Sequence, residues 1–118
     1  MQFEPIQDEY WENRDSYSEF LDIYCEKCGN HIALYQKDGP GELRRMYVDR
    51  IHAPADIKEN VSAQIDLTCK SCNRLIATRR TYEKEQRQAY FIFAYAIIIK
   101  KSTGVYPPQV TQIEIENN

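Results

Sequence analysis

The four cysteines of this chain fall in two C-x₂-C steps, Cys25-Glu26-Lys27-Cys28 and Cys69-Lys70-Ser71-Cys72. Such a step lets one tight turn present two sulfurs to the same ion, and two steps supply the four thiolates of a closed tetrahedral centre. The second pair repeats the first beyond the cysteines. Cys28-x-x-x-Ile32-Ala33 aligns without a gap with Cys72-x-x-x-Ile76-Ala77. The repeat predicts two equivalent hairpins, each carrying a cysteine pair at its tip.

Four thiolates are soft and strongly charged, a donor set that selects zinc over hard cations, and a filled shell leaves no position for a substrate. The expectation is therefore one structural Zn²⁺ per chain, held by Cys25, Cys28, Cys69 and Cys72. The long segment between the pairs is no obstacle, because loop-closure entropy grows only with the logarithm of length. An iron centre of rubredoxin type needs the same sulfurs and suits Cys25-x-x-Cys28-Gly29, but Asn73 stands where such sites usually have glycine. A redox C-x-x-C needs a βαβ context that the sequence lacks, and two disulfides need export.

At 118 residues, the chain suits a modest core in which a metal staple matters. Nine tyrosines and four phenylalanines predict that this core is aromatic. No stretch near Met1 combines basic residues with an apolar segment, so no secretory signal is expected. The apolar run Ala89 to Ile99 is too short to span a bilayer. A cytoplasmic protein away from membranes is the expectation, since that compartment keeps thiols reduced and free to ligate.

Charge is distributed unevenly. Residues 1–24 carry seven acids against Arg14, while residues 67–104 carry eight bases against Glu83 and Glu85. This opposition suits an acidic arm lying on a basic face, with acids against Arg79, Arg80 or Arg87 and with Trp11 and Tyr17 packed on the second ribbon. It equally suits two surfaces for different partners, or two ordinary solvated faces.

The pattern along the chain predicts a mostly β fold, a ribbon built from two C-x₂-C knuckle hairpins in an antiparallel sheet. Three regions follow: an acidic, aromatic N-terminal arm at 1–22, a two-knuckle domain at 23–104, and a C-terminal extension at 105–118. Ser16-x-x-Glu19 fits a capping box and allows a short helix near 16–21, and Pro54 can open another near 54–58. His31 to Lys37 reads as a strand and Asp38-Gly39-Pro40-Gly41 as a turn, with Glu42 to Ile51 returning as its hairpin partner. The glycines of that turn do not open a helix, so they form no phosphate cradle.

Residues 61–68 alternate loosely into the second knuckle, and 74–82 are rich in β formers. For residues 82–101 a hairpin competes with a helix, and the β-branched and aromatic content of Tyr90 to Ile99 favours the hairpin, with both faces of that strand apolar. Val105-Tyr106-Pro107-Pro108 forces extended backbone, and Gln109 to Glu116 suits an edge strand.

The remaining chemistry is sparse. His31 follows Cys28 by three residues and reads as an outward-facing strand residue, and His52 begins a connector with no evident carboxylate partner. No G-x-S-x-G, P-loop, dinucleotide-binding or H-E-x-x-H pattern occurs, so no enzyme is expected.

At the paired knuckles the chain resembles a zinc ribbon. Tyr24-Cys25-Glu26-Lys27-Cys28-Gly29-Asn30 through Tyr35-Gln36-Lys37-Asp38-Gly39-Pro40-Gly41 is similar to small bacterial zinc-ribbon proteins, and the resemblance covers about residues 23–101. It implies a rigid hairpin scaffold that binds protein or nucleic acid without catalysis. Two readings follow. A protein-interaction or adaptor module agrees with the acidic pI and the doubly apolar strand. A nucleic-acid-binding module uses the basic second hairpin, with Arg74, Arg79, Arg80 and Arg87 for phosphates and Tyr82 and Tyr90 for stacking.

Overall fold

The computed structural model describes residues 1–59 and 65–115. The fold is mostly β, in two antiparallel sheets of four strands with two short helices. In chain order the elements are α1 (Glu9–Glu12), β1 (Ser18–Cys25), β2 (His31–Asp38), β3 (Arg45–Tyr47), a 3₁₀ turn at Val48–Arg50, β4 (Ile51–Ala53), α2 (Ala55–Glu59), β5 (Asp66–Thr68), β6 (Leu75–Tyr82), β7 (Arg87–Ile92) and β8 (Ile97–Ser102). The first sheet runs β4-β2-β1-β8 and the second β3-β7-β6-β5.

The repeat in the sequence is a repeat in structure. β1 and β2 pair from Ser18↔Asp38 to Tyr24↔His31, and β5 and β6 pair from Asp66↔Thr78 to Thr68↔Leu75. In each hairpin the register slips once just before the knuckle, at Ile23/Tyr24 and at Leu67/Thr68. The turns close with the same backbone bonds: Cys25 N donates to Asn30 O and Gly29 N to Cys25 O, while Cys69 N donates to Arg74 O and Asn73 N to Cys69 O, each at 2.8 Å. Both turns require one left-handed residue, supplied by Gly29 (φ +80) and Asn73 (φ +64). Glycine adopts that region freely and asparagine tolerates it.

The two hairpins share one core. Ile23, Ala33, Tyr35, Met46, Ile51, Ile76, Ala77 and Tyr90 cluster there with Cys25 and Cys69, so the metal-ligand sulfurs grow out of the apolar centre. Each fully buried large side chain in such a core contributes roughly 1.5–3 kcal/mol. The core is less aromatic than the composition suggests. Tyr24, Tyr35, Tyr47 and Tyr90 are buried, whereas Phe3, Phe20 and Phe91 are only partly covered and Phe93 is exposed.

The structure corrects several sequence expectations. Of the two candidate helices, the one at 54–58 forms as α2, while 16–21 does not become helical. Asp15 and Ser16 are both left-handed, and β1 begins at Ser18. β1 lies between β2 and β8. Residues 42–50 do not return along β2, whose edges are taken by β1 and by β4, and within 42–51 the contact is confined to Ile51, the first residue of β4, opposite Tyr35. β3 instead crosses to the second sheet and pairs with β7, Met46 opposite Tyr90.

The hairpin reading of 82–101 holds for β6 and β7, which turn at Gln86 (φ +52). The apolar run Tyr90 to Ile99 is not one strand, however. The chain bends after Ile92, with Tyr95 left-handed (φ +62), and β8 returns to the first sheet with Ile98 opposite Tyr24. Ile92 at the end of β7 and Ile97 at the start of β8 both pack against the shared core, from different sheets. The C-terminal segment forms no strand among the described residues. It lies on the first knuckle through the bridge Asn30↔Gln112 and the bond from Ile113 N to Gly29 O.

Of the three readings of the uneven charge, an acidic arm paired with the basic face is not the one found. None of the acids of residues 1–22 pairs with Arg79, Arg80 or Arg87 among the described residues. Contact with the second hairpin has the opposite sense: Arg14 reaches Glu85 at 2.6 Å, and the Tyr10 ring lies 4.0 Å from the Arg87 guanidinium. Tyr17 is exposed. The acids Asp8 and Asp22 serve the first sheet instead, Asp8 on Arg50 and Asp22 on His31.

Candidate metal centre

The four cysteine sulfurs lie within 4.8 Å of one another. Cys25 Sγ is 3.7 Å from Cys72 Sγ and Cys28 Sγ is 3.6 Å from Cys69 Sγ, so the two knuckles interleave. Sulfurs at these separations are unbonded, and all four cysteines are free. An ion with metal–sulfur bonds of about 2.3 Å in a tetrahedron sets sulfurs about 3.8 Å apart, which is the spacing of these pairs. The donor set thus fits one metal ion. Cys25 and Cys69 are fully buried, while Cys28 and Cys72 form the outer rim.

The electrostatics agree with a site built for a cation. Burial pushes the Cys69 thiol up to about 12, although the amides of Cys72 and Ser71 donate to it. Burial likewise raises Cys25, against donation from the Cys28 and Lys27 amides. At Cys28 burial is outweighed by the Asn30 amide and the neighbouring cysteines, and the thiol falls to about 7. Four thiolates crowded this closely repel one another, and a bound dication is what lets them all ionise.

The knuckles are braced from three sides. Arg74 Nη1 donates to Glu26 Oε2 at 2.6 Å, joining the second knuckle to the first. Lys70 pairs with Asp56 on α2. The bend between β7 and β8 fastens to both knuckle hairpins: Glu26 N donates to Ala96 O, Phe93 N to Ile76 O, and Arg74 Nη2 to Tyr95 O. Phe93 and Tyr95 remain 43% and 87% exposed beside the centre.

His31 does not face outward. Its side chain is only 7% exposed, with Nε2 2.8 Å from Asp22 Oδ1 and the ring edge-on to Tyr24. His52 is enclosed between Phe3 and Phe20, its Nε2 3.0 Å from Gln36 Oε1.

The basic residues singled out on the second hairpin are scattered in role. Arg87 is buried and held by Asp49 and Glu85, and Arg74 is held by Glu26. Arg79 reaches only Gln88, and Arg80 lies over the Phe91 ring at 4.1 Å. Tyr82 packs against Tyr47 beneath Arg45, which lies 4.3 Å from its ring centre. Arg79 and Arg80 are thus the two arginines of this set without a carboxylate partner among the described residues.

No glycine or proline marks the aromatic bend, where Tyr95 takes a left-handed conformation. The fold and site together define a tetracysteine metal-binding β protein with two knuckle hairpins. Comparison with protein-family models, curated proteins and solved structures finds no match to the chain. Among the described residues, no helix is long and apolar enough to cross a membrane.

Proposed function

We propose that this protein is a non-catalytic zinc module, working in the reducing cytoplasm, that meets a protein partner through the bend between β7 and β8. One observation carries the reading: Phe93 and Tyr95 stand exposed on a bend tied by backbone bonds to both knuckle hairpins. Large aromatic side chains are costly to leave in water and are enriched at the centres of protein interfaces. A bend fixed in advance loses little entropy when a partner covers it. Zinc, when bound, supplies a four-thiolate cross-link between the two hairpins and leaves no open coordination position. The two-knuckle arrangement is in keeping with the zinc-ribbon resemblance and with scaffolding over catalysis.

The nucleic-acid reading is weaker, since Arg74 and Arg87 are already paired with acids and leave Arg79 and Arg80 to meet phosphates. The test uses zinc-loaded protein and the Phe93→Ser/Tyr95→Ser variant as parallel baits after nuclease treatment. A defined protein retained by the first and lost from the second supports the reading. Identical retention by both, or binding of single-stranded RNA with a steep salt dependence that the double variant leaves intact, overturns it.

A further inference from the structure

Where the chain crosses from β2 to β3 it encloses a cavity of about 190 Å³, whose wall carries five bases but only two acids, Asp38 and Glu42. Most of these charges are already matched. Arg50 holds Asp38 and Asp8, Arg14 holds Glu85 through both terminal nitrogens, and Arg44 lies 3.7 Å from Glu42 on the exposed rim.

Two cations on the wall have no carboxylate partner among the described residues. Lys37 is only 9% exposed, and its ammonium makes a single hydrogen bond, to the Gly39 carbonyl. Arg45 is held by π faces, 4.3 Å from the Tyr82 ring centre and 5.4 Å from that of Phe91. Its Nη1 donates to Tyr47 Oη at 3.3 Å, and its buried Nε has no partner among the described residues.

The hydroxyls on the same wall deepen the imbalance. Tyr35 Oη accepts from the Tyr47 amide, and Tyr47 Oη accepts from Arg14 and Arg45. Neither phenolic proton has an acceptor among the described residues. A half-satisfied buried donor costs free energy, and a buried cation costs more. The cavity therefore holds surplus donors on four side chains, while its one carboxylate not tightly engaged, Glu42, lies on the exposed rim. A tetrahedral oxyanion supplies what is missing, since its several oxygens accept charge-assisted bonds from lysine and arginine together.

The geometry points to a binding site for a small phosphorylated ligand, with the phosphoryl group held by Lys37 and Arg45 and by the hydroxyls of Tyr35 and Tyr47. The organic part of such a ligand leaves over Pro40 and Leu43, the apolar residues on the cavity wall. The site is independent of the partner-binding bend.

The test is titration of zinc-loaded full-length protein with inorganic phosphate, following the arginine Nε–H signals by NMR. Acetate at equal ionic strength is the control for general screening and for carboxylate binding. Expected are a saturable shift of the Arg45 signal with phosphate alone, and affinity weakened about tenfold or more in Lys37→Gln, read at Arg45, and in Arg45→Gln, read at the other wall arginines Arg14 and Arg50. Lys84→Gln, on the exposed β6–β7 turn, retains full affinity. A shift that fails to saturate, an equal response to acetate, or unchanged affinity in both glutamine variants overturns the assignment. The phosphate–acetate comparison needs no variant, so it decides the matter even where a substitution unfolds the chain.

Discussion

Arg50 Nε meets Asp38 Oδ2 at 2.8 Å, with the two side chains only 2% and 4% exposed. The same guanidinium turns its terminal nitrogens to Asp8, at 2.6 and 3.1 Å, and so fastens the N-terminal segment to the end of β2. Asp8 also caps α1 by accepting from the amides of Tyr10 and Trp11, and Arg50 holds its carboxyl below the usual range.

Removing one partner of a buried ion pair strands the other, at a cost of about 3–5 kcal/mol. Arg50→Met should destabilise the protein by that order in urea titrations of the metal-loaded form. Asp8→Asn should cost less, since Asp8 is partly exposed and Asp38 still holds Arg50.

His52 gives stability a pH dependence. Burial, followed by the charges of Lys58 and Arg50, lowers its pKa from 6.5 to about 4. The unfolded chain then binds the proton more readily than the folded one, so stability is full above about pH 6.5 and falls as pH drops toward about 4. Melting temperatures across this window should decline, and His52→Gln should flatten the decline. An unchanged slope in that variant would assign the effect to other groups.

Gly29 sits where the C-terminal segment crosses the first knuckle. A β-carbon there would lie 2.0 Å from the Ile113 carbonyl oxygen, at a φ of +80 that side chains resist. Gly29→Ala should displace the segment around Ile113, with faster hydrogen exchange at the His31 and Ile113 amides, which bond to and from it. Strain of this kind costs about 1–3 kcal/mol. Asn73→Gly at the equivalent turn should be tolerated, since it relieves a left-handed asparagine.

Metal binding should supply folding free energy, because the sulfurs of both hairpins converge from the core onto one point. Cys69→Ser should lose the metal and most of the cooperative thermal transition, and a strong chelator should do the same to the unaltered protein. A transition unmoved by both treatments would show that the apolar core holds the fold unaided.

What the sequence disclosed follows from the range of the interactions involved. The knuckle hairpins were legible because a C-x₂-C turn and its flanking Ile-Ala repeat are local signals, and β1–β2 and β5–β6 are local pairings. The crossovers were hidden because β3 and β8 choose partners distant in sequence. Nothing in Glu42 to Ile51 distinguishes a return along β2 from a crossing to β7, and no residue type marks the break at Phe93–Ala96.

Charges misled for a related reason. Arg50 and Arg87 look like surface residues in a composition, yet Asp8, Asp38, Asp49 and Glu85 take them inside. The cysteine cluster needed no such distant information. Lys37 and Arg45 could not be singled out, because their want of partners exists only once the sheets are assembled.

Four sulfurs converge on one point between the knuckles, and zinc K-edge absorption combined with metal analysis of the purified protein shows what they hold. The expected result is one zinc per chain surrounded by sulfur alone, with bonds of about 2.3 Å. Iron in place of zinc, nitrogen or oxygen in the coordination shell, or protein that folds cooperatively with no bound metal would contradict it.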